Sequence, residues 1–412
     1  MNIVFEDNIE FAVKNIYEKL IETRKELHKY PELGLETFKT ADFITNYLTN
    51  LGIESHKVLS GAGVVGIIRG QYSNEPTDGY TGKRNSDEVK TIALRADIDA
   101  LPINEENSFG YKSCIPGAMH ACGHDFHTVC LLGAAEILYT MKGYFKGNIK
   151  LLFQPAEETI AGAPGMIKEG VLENPSVDAC FAAHVWPSIP VGKIGIVHGP
   201  SFSGINNFII TVKGKGGHGA MPHETIDPIT VGCNIVTTLQ TLISRRVNTF
   251  EPAVLSVCSF NAGTSVNITP DTAVLKGTLR TFDLSLRKKL EELICEISQG
   301  IAKSMGAELN IKFIYEAPPV INENNITDLF IDSACKIIGK ENIITDIKPA
   351  MVSEDFAFFS QIVPSTYYYL GCRNEEKGIT YPLHNAKFKG DEECIRIGAS
   401  LFAQFAIDFL EA

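Results

Sequence analysis

The stretch NFIITVK (207–213), read together with DPITVGCNIVTTLQTLISRR (227–246) behind it, decides how this chain divides. The first, short and rich in apolar and β-branched residues, reads as a strand, and the second repeats its apolar residues at helical spacing. Two further strand-like runs follow at 253–262 and 272–282, then a helix pattern over 284–305 and a strand over 308–315. Strand, helix, strand, strand, helix, strand is the β-α-β-β-α-β order of a ferredoxin-like unit. Asp227 falls at the N-cap and Pro228 at the first helical position, where no N–H is needed.

Outward from this unit the chain has a different rhythm. Helix patterns over 8–30 and 40–51 precede strand-like runs at 63–68, 91–96 and 148–153, with a helix over about 125–141 between the last two. A further strand at 177–183 leads to His184, and beyond Pro318 and Pro319 come a helix at 326–339, a strand at 366–371 and a last helix at about 391–411. Apolar strands alternating with helices predict an α/β fold with a mostly parallel sheet. The expected division is therefore a larger domain built from 1–203 and 316–412, into which a smaller one, 204–315, is inserted. The polar stretch QYSNEPTDGYTGKRNSDEVK (71–90) interrupts the pattern and reads as a mobile surface loop.

At 412 residues and 44% hydrophobic content the chain can bury a sizeable core. Its formal net charge of -12 opposes binding to nucleic acid or to an anionic membrane, both of which call for a basic face. No apolar run is long enough to span a bilayer, and the opening MNIVFEDNIEF carries acids where a secretory signal needs basic residues. Ten cysteines are scattered without a CxxC pair, several inside apolar runs, which suits reduced thiols and a cytoplasmic location.

Chemistry-bearing residues gather at a few points. In MHACGHDFHTV (119–129), Gly123 allows a turn in which Cys122 and His124 converge. They read either as metal ligands, as a thiol nucleophile with its base, or as a polar helix entrance. Asp125 either accepts the second N–H of His124 or caps the helix. In QPAEE (154–158) a strand ends in two adjacent carboxylates, so that Glu158 can ligate a metal while Glu157 faces a water as general base; a solvated pair in a loop is the ordinary alternative. His184 in HVWP and His384 in YPLHN would singly be core histidines. All but His384 fall just after strands of one predicted sheet, where one site can collect them. In the inserted unit His218 stands among four glycines, and Asn267 and Arg280 lie near one strand pair, where Arg280 can clamp a carboxylate or simply face solvent. The glycine-rich segment has no phosphate-cradling pattern.

Together these motifs resemble the M20 metallopeptidase family, in particular its amidohydrolase branch of hippurate, auxin-conjugate and N-acyl-amino-acid hydrolases. The likeness runs from RKELHKYPELG (24–34) through ALRADIDALP (93–102), MHACGHD (119–125), FQPAEE (153–158), HVWP (184–187), GGHGAMPHETIDPI (216–229), NAGTSVNITPD (261–271) and SEDFAFF (353–359) to LHNAKF (383–388). The resemblance implies two divalent metal ions held by Cys122, His124, Glu158, His184 and His384, with Glu157 as general base. It implies an aspartate at Asp97 that orients a ligand without binding metal, a lid histidine at His218 that stabilises the oxyanion, and substrate contacts at Asn267 and Arg280. The inserted unit corresponds to the family's lid, which in many relatives also forms a homodimer.

The expected activity is hydrolysis of an N-acyl amino acid, such as an N-acetyl or benzoyl derivative. Two ions would lower the pKa of a shared water and polarise the amide carbonyl, and Glu157 would take the water's proton. A dipeptidase or carboxypeptidase acts on the same kind of amide beside a terminal carboxylate, and a non-catalytic ligand-binding relative is the third reading. Zinc suits the thiolate and imidazoles, while manganese, cobalt and nickel suit the same mixed set. Phe126 departs from the branch, where glycine commonly follows GHD, and is expected to reshape the site's edge.

Overall fold

A computed structural model of the chain describes residues 5–71 and 89–412. The 71–90 insertion lies, apart from its ends, outside the described residues. The chain forms two compact units, one of Met1–Gly199, Ile321–Lys348 and Phe358–Ala412, the other of Pro200–Val320 with Pro349–Ala357.

In the first unit an eight-stranded sheet among the described residues runs in the order Glu54–Val58, Gly63–Arg69, Asn148–Gln154, Thr91–Asp97, Ala179–Pro190, Ser365–Arg373, Ile194–Ile196, Ile343–Ile344. The four strands from Asn148–Gln154 to Ser365–Arg373 are mutually parallel. Antiparallel pairings flank them on both sides. Parallel strands need both faces covered, and Thr91–Asp97 is buried along its whole length. From this strand the chain goes first to Asn148–Gln154 on one side and later to Ala179–Pro190 on the other. Such a reversal opens a crevice at the carboxyl ends of the strands, where open α/β sheets bind their ligands.

The helix His124–Thr140 explains why its sequence is apolar on nearly every face. It is buried almost throughout, packed between the helices Phe5–Lys29 and Glu393–Glu411 and against the sheet. A helix so enclosed has no solvent stripe to keep polar. Phe126 belongs to this interior. It is 1% exposed, inside the core cluster, and beneath the guanidinium of Arg24, whose Cζ is 4.7 Å from its ring centroid. The bulk expected at the edge of the site fills the helix packing instead.

In the second unit the strands Gly204–Lys213, Ala253–Ala262, Thr272–Thr281 and Glu308–Ala317 pair antiparallel in the order 253–262, 272–281, 204–213, 308–317. Phe208, Ile210 and Val212 alternate inward from the sheet, as a half-buried strand requires. Val231, Ile235, Leu239 and Leu242 form the apolar stripe of the helix Pro228–Arg246 that covers them. Asp227 caps that helix by accepting from Ile229 N at 2.9 Å, and Asp283 caps Leu284–Ser304 by accepting from Leu286 N at 2.7 Å. No helix among the described residues is long and apolar enough to cross a membrane.

Candidate metal centre

Gly123 makes the turn that brings Cys122 and His124 together. Its φ of +85° is open to glycine and strained for other residues, and a Cβ there would lie 2.4 Å from Val185 Cγ2. The QPAEE turn is likewise bent at an unusual residue, Ala156 with φ +57°, and His384 in YPLHN has φ +60°. Non-glycine residues in this region cost about 1–3 kcal/mol and persist where surrounding contacts hold them. For His384 one such contact is its own N–H, donated to Ala121 O at 2.8 Å.

Strand ends and turns then converge. Cys122 Sγ lies 3.3 Å from His184 Nε2 and 3.2 Å from His384 Nε2. His384 Nε2 is 3.5 Å from Glu158 Oε1, and His124 Nε2 is 3.9 Å from both Glu157 Oε2 and Glu158 Oε1. Among the groups of donor atoms close enough to share an ion are Cys122–His124–His184, Cys122–Glu158–His384, His124–Glu157–Glu158 and, deeper, Asp97–His124–His127. Cys122 is common to the first two. Glu157 is 7% exposed, so the two carboxylates are not a solvated loop pair.

His184 sits within its strand and not just beyond the strand's end, as the sequence suggested. Ala179–Pro190 continues beside Ser365–Arg373 as far as Pro190, whereas its pairing with Thr91–Asp97 ends at Arg95↔Ala182. From His184 onward one flank of the strand is free of strand partners, which is the room the cluster occupies.

The second nitrogen of His124 finds a different partner from the one expected. Asp125 turns away and accepts from His28 Nδ1 at 2.8 Å, with Arg24 Nη1 at 3.5 Å. His124 Nδ1 instead donates to the backbone carbonyl of Asp99 at 2.9 Å, with Asp99 Oδ1 at 3.3 Å. The same carboxylate accepts the backbone N–H groups of Glu157 and Glu158. Asp99 thus holds one imidazole and both glutamates. Its neighbour Asp97 accepts from His127 Nδ1 at 2.5 Å and from Arg95 Nη1 at 2.9 Å, and its Oδ2 is 3.7 Å from His124 Nε2.

Sequence reasoning assigns Asp99 no role, and His127 a supporting or structural one and no part in catalysis. The signal for Asp99 is the Asp-Ile-Asp spacing at the end of a strand, which sends both acidic side chains to one face. Arg24 and His28, four apart on one helical face, fall within RKELHKYPELG, where nothing in the spacing points to Asp125.

Electrostatics decide what the cluster can hold. Burial, then the charges of Glu158, Glu157 and Asp97, push the Cys122 thiol well above its usual range. Burial holds His184 well below the ordinary histidine value, with His127 adding to it, and burial lowers His384 as well. The raised thiol by itself counts against Cys122 as a nucleophile. Burial by itself would lower His124, but Asp97, Asp99 and Glu158 outweigh it and raise its pKa to about 10. Burial with the charges of Asp99 and Asp97 raises Glu158 to about 7 against the pull of His124. His124 Nε2 and Glu158 Oε1 are buried without a hydrogen-bond partner. A thiol, three imidazoles and two carboxylates crowded about such orphaned atoms fit divalent cations with mixed S, N and O ligands.

The remaining predicted residues belong to the second unit. Gly217–His218 pairs with Ile268–Thr269, so His218 and Asn267 share one short ribbon, closed by Gly219 N donating to Asn267 O at 2.8 Å. His218 is exposed, and its Nδ1 accepts from Ala220 N at 3.1 Å. Arg280 is half-buried, not a free surface residue. Its Nη1 donates to Met351 O at 3.1 Å, in the segment leading to SEDFAFF.

The chain is similar to known proteins over nearly its whole length. The family model described as peptidase family M20/M25/M40 matches residues 93–408. Thermostable carboxypeptidase 1 of Saccharolobus solfataricus is 37% identical over 96% of this chain and 97% of its own. N-acetyl-L-cysteine deacetylase of Bacillus subtilis is 38% identical over 95% of this chain and 88% of its own. Among solved structures, a Bacillus subtilis protein described as a dinuclear metal binding peptidase from the M20 family superposes with a TM-score of 0.83 at 32% identity, covering 97% of this chain and 99% of that one.

Proposed function

The chain belongs to peptidase family M20/M25/M40 and is a metal-dependent hydrolase of amides; from that premise we propose that it cleaves N-acyl amino acids at the centre around Cys122. The observation that carries the reading is the position of Cys122 Sγ, shared between one donor group with His124 and His184 and another with Glu158 and His384. We assign these five residues as ligands of two divalent ions, zinc, manganese, cobalt or nickel. Bound there, the ions would polarise the scissile carbonyl and make a water acidic enough to attack at neutral pH.

The chain's own groups supply the rest. Glu157 is buried, and its backbone N–H is anchored on Asp99. In this reading its carboxylate takes the proton of the attacking water and returns it to the leaving nitrogen. Asp99 keeps His124 in the tautomer whose Nε2 is free to bind a cation.

The Pro200–Val320 unit is read as the ferredoxin-like lid, a reading supported by its strand order. His218 is proposed as the oxyanion donor, Asn267 and Arg280 as substrate contacts, and this unit as the surface of a homodimer. For these roles the family resemblance is the support. The ten free cysteines fit a cytoplasmic setting.

A panel of N-acetyl and benzoyl amino acids, tested beside N-blocked dipeptides with added Mn²⁺ or Zn²⁺, checks the proposal. Hydrolysis lost on chelation and in Glu157→Gln is the expected result. Equal turnover by metal-free protein would sink it. Preference for the blocked dipeptides would favour the carboxypeptidase reading, which the relative from Saccharolobus solfataricus supports.

A further inference from the structure

His127 is buried beside the centre and belongs to none of the proposed ligands, yet both of its ring nitrogens are engaged. Nδ1 faces Asp97 Oδ1 at 2.5 Å, and Nε2 faces the backbone N–H of Val185 at 2.8 Å. A carboxylate oxygen needs a donor and an amide N–H needs an acceptor, so these contacts select the neutral tautomer protonated at Nδ1. Asp97 is itself held, through its other oxygen, by Arg95.

Val185 follows the proposed ligand His184 directly, and its backbone is gripped at both polar atoms. Its N–H goes to His127, in the place of the strand partner that ends at Arg95↔Ala182. Its carbonyl accepts from His184 Nδ1 at 2.7 Å, which leaves His184 Nε2 facing Cys122 Sγ. On its other flank the strand stays paired, Val185 beside Leu370, so losing the His127 contact frees only this side. The carbonyl can then tilt, and with it the imidazole whose other nitrogen must point at the ion.

We propose that His127 is a positioning residue: in the tautomer that Asp97 imposes, it accepts the Val185 N–H and so fixes the ring of His184 for metal. The inference rests on the metal reading above, with His184 as ligand. Groups that orient a metal-binding histidine from behind typically change metal affinity by about 10–100-fold when removed.

Two substitutions separate the contacts. In His127→Asn a side-chain N–H can still reach Asp97, but nothing reaches Val185. In His127→Gln the amide oxygen reaches toward Val185, but the donor to Asp97 is gone. Metal-stripped wild type and both variants are titrated with Co²⁺ against a chelator of known affinity, and the cobalt spectrum is recorded.

Wild type is expected to take up two ions per chain. His127→Asn should bind one of them about 10–100-fold more weakly with an altered spectrum, while His127→Gln stays within a few-fold of wild type. Unchanged affinity and spectrum in His127→Asn, or equal losses in both variants whatever their melting temperatures, would overturn the positioning role and leave the metal site standing. Wild type that takes up no Co²⁺ would overturn both. Nitrogen-15 spectra of histidine-labelled wild type test the tautomer without any variant: a neutral ring protonated at Nδ1 supports the proposal, and a doubly protonated ring overturns it.

Discussion

The carboxylate of Asp99 accepts the backbone N–H of Glu157 at 3.1 Å. Its second oxygen takes the N–H of Glu158 at 3.2 Å, so a single side chain sets where both glutamates of the turn begin. In Asp99→Asn one of these oxygens becomes a donor facing another donor, and the turn should shift. We expect kcat to fall about 10–100-fold, the range for groups that orient metal-site residues, with the fold retained. Steady-state kinetics beside circular dichroism check this, and wild-type kcat would remove Asp99 from the machinery.

Gly123→Ala meets two obstacles at once, a φ of +85° and a Cβ 2.4 Å from Val185 Cγ2. Overpacking costs about 1–3 kcal/mol, and the backbone strain is of the same order. Denaturant unfolding should register both. Val185→Ala ought to cost less in the Gly123→Ala background than in wild type, because it relieves the clash while leaving the strain; strictly additive losses would contradict the clash.

Chelation should both silence the enzyme and loosen it. A ligand present at 100 times its Kd stabilises the folded state by about 2.7 kcal/mol. Stripping the ions is therefore expected to lower Tm, and Mn²⁺ or Zn²⁺ to restore it. Peptide mapping after alkylation adds a site-specific readout. Cys114, Cys233 and Cys258 are exposed and label in either state, whereas Cys122 should label only once the metal is gone. Labelling of Cys122 at equal rates with and without metal would contradict its role as a ligand.

Lys150 offers a test away from the centre. Its amine is buried, donates to the carbonyls of Val171 and Glu173, and is lowered from 10.5 to about 8 by burial and then by the charge of Arg69. Between those two values the unfolded chain binds more protons at this group than the folded one, so its contribution to stability rises with pH. The stability of wild type relative to Lys150→Met should therefore climb between pH 8 and pH 10.5. A flat difference across that window would show that the amine is not so perturbed.

Much of the fold was legible because it rests on local periodicity. The order of elements in the second unit could be read from apolar spacing and from the cap at Asp227, since Phe208, Ile210 and Val212 must alternate and Val231, Ile235, Leu239 and Leu242 must share a stripe. The polarity of the strands was legible in the same way, because Thr91–Asp97 has no outward face to keep polar. Inclusion of Pro349–Ala357 in the second unit was not legible. It depends on contacts such as Arg280 with Met351, between segments far apart in the chain.

At the centre the division falls between residue types and their partners. The sequence by itself determined that a thiol, imidazoles and adjacent carboxylates stand at turns and strand ends, and that Gly123 and Pro155 break the chain where they must converge. Only the tertiary structure decided that Asp99 and not Asp125 holds His124, that Asp125 is taken by His28 and Arg24 of the first helix, and that His127 reaches the backbone of Val185. A side chain's valence is local, whereas its hydrogen-bond partner is set by which strands lie side by side and which helix packs across them. Those neighbours come from positions 25 to 101 residues away, a separation at which spacing along the chain carries no information about direction.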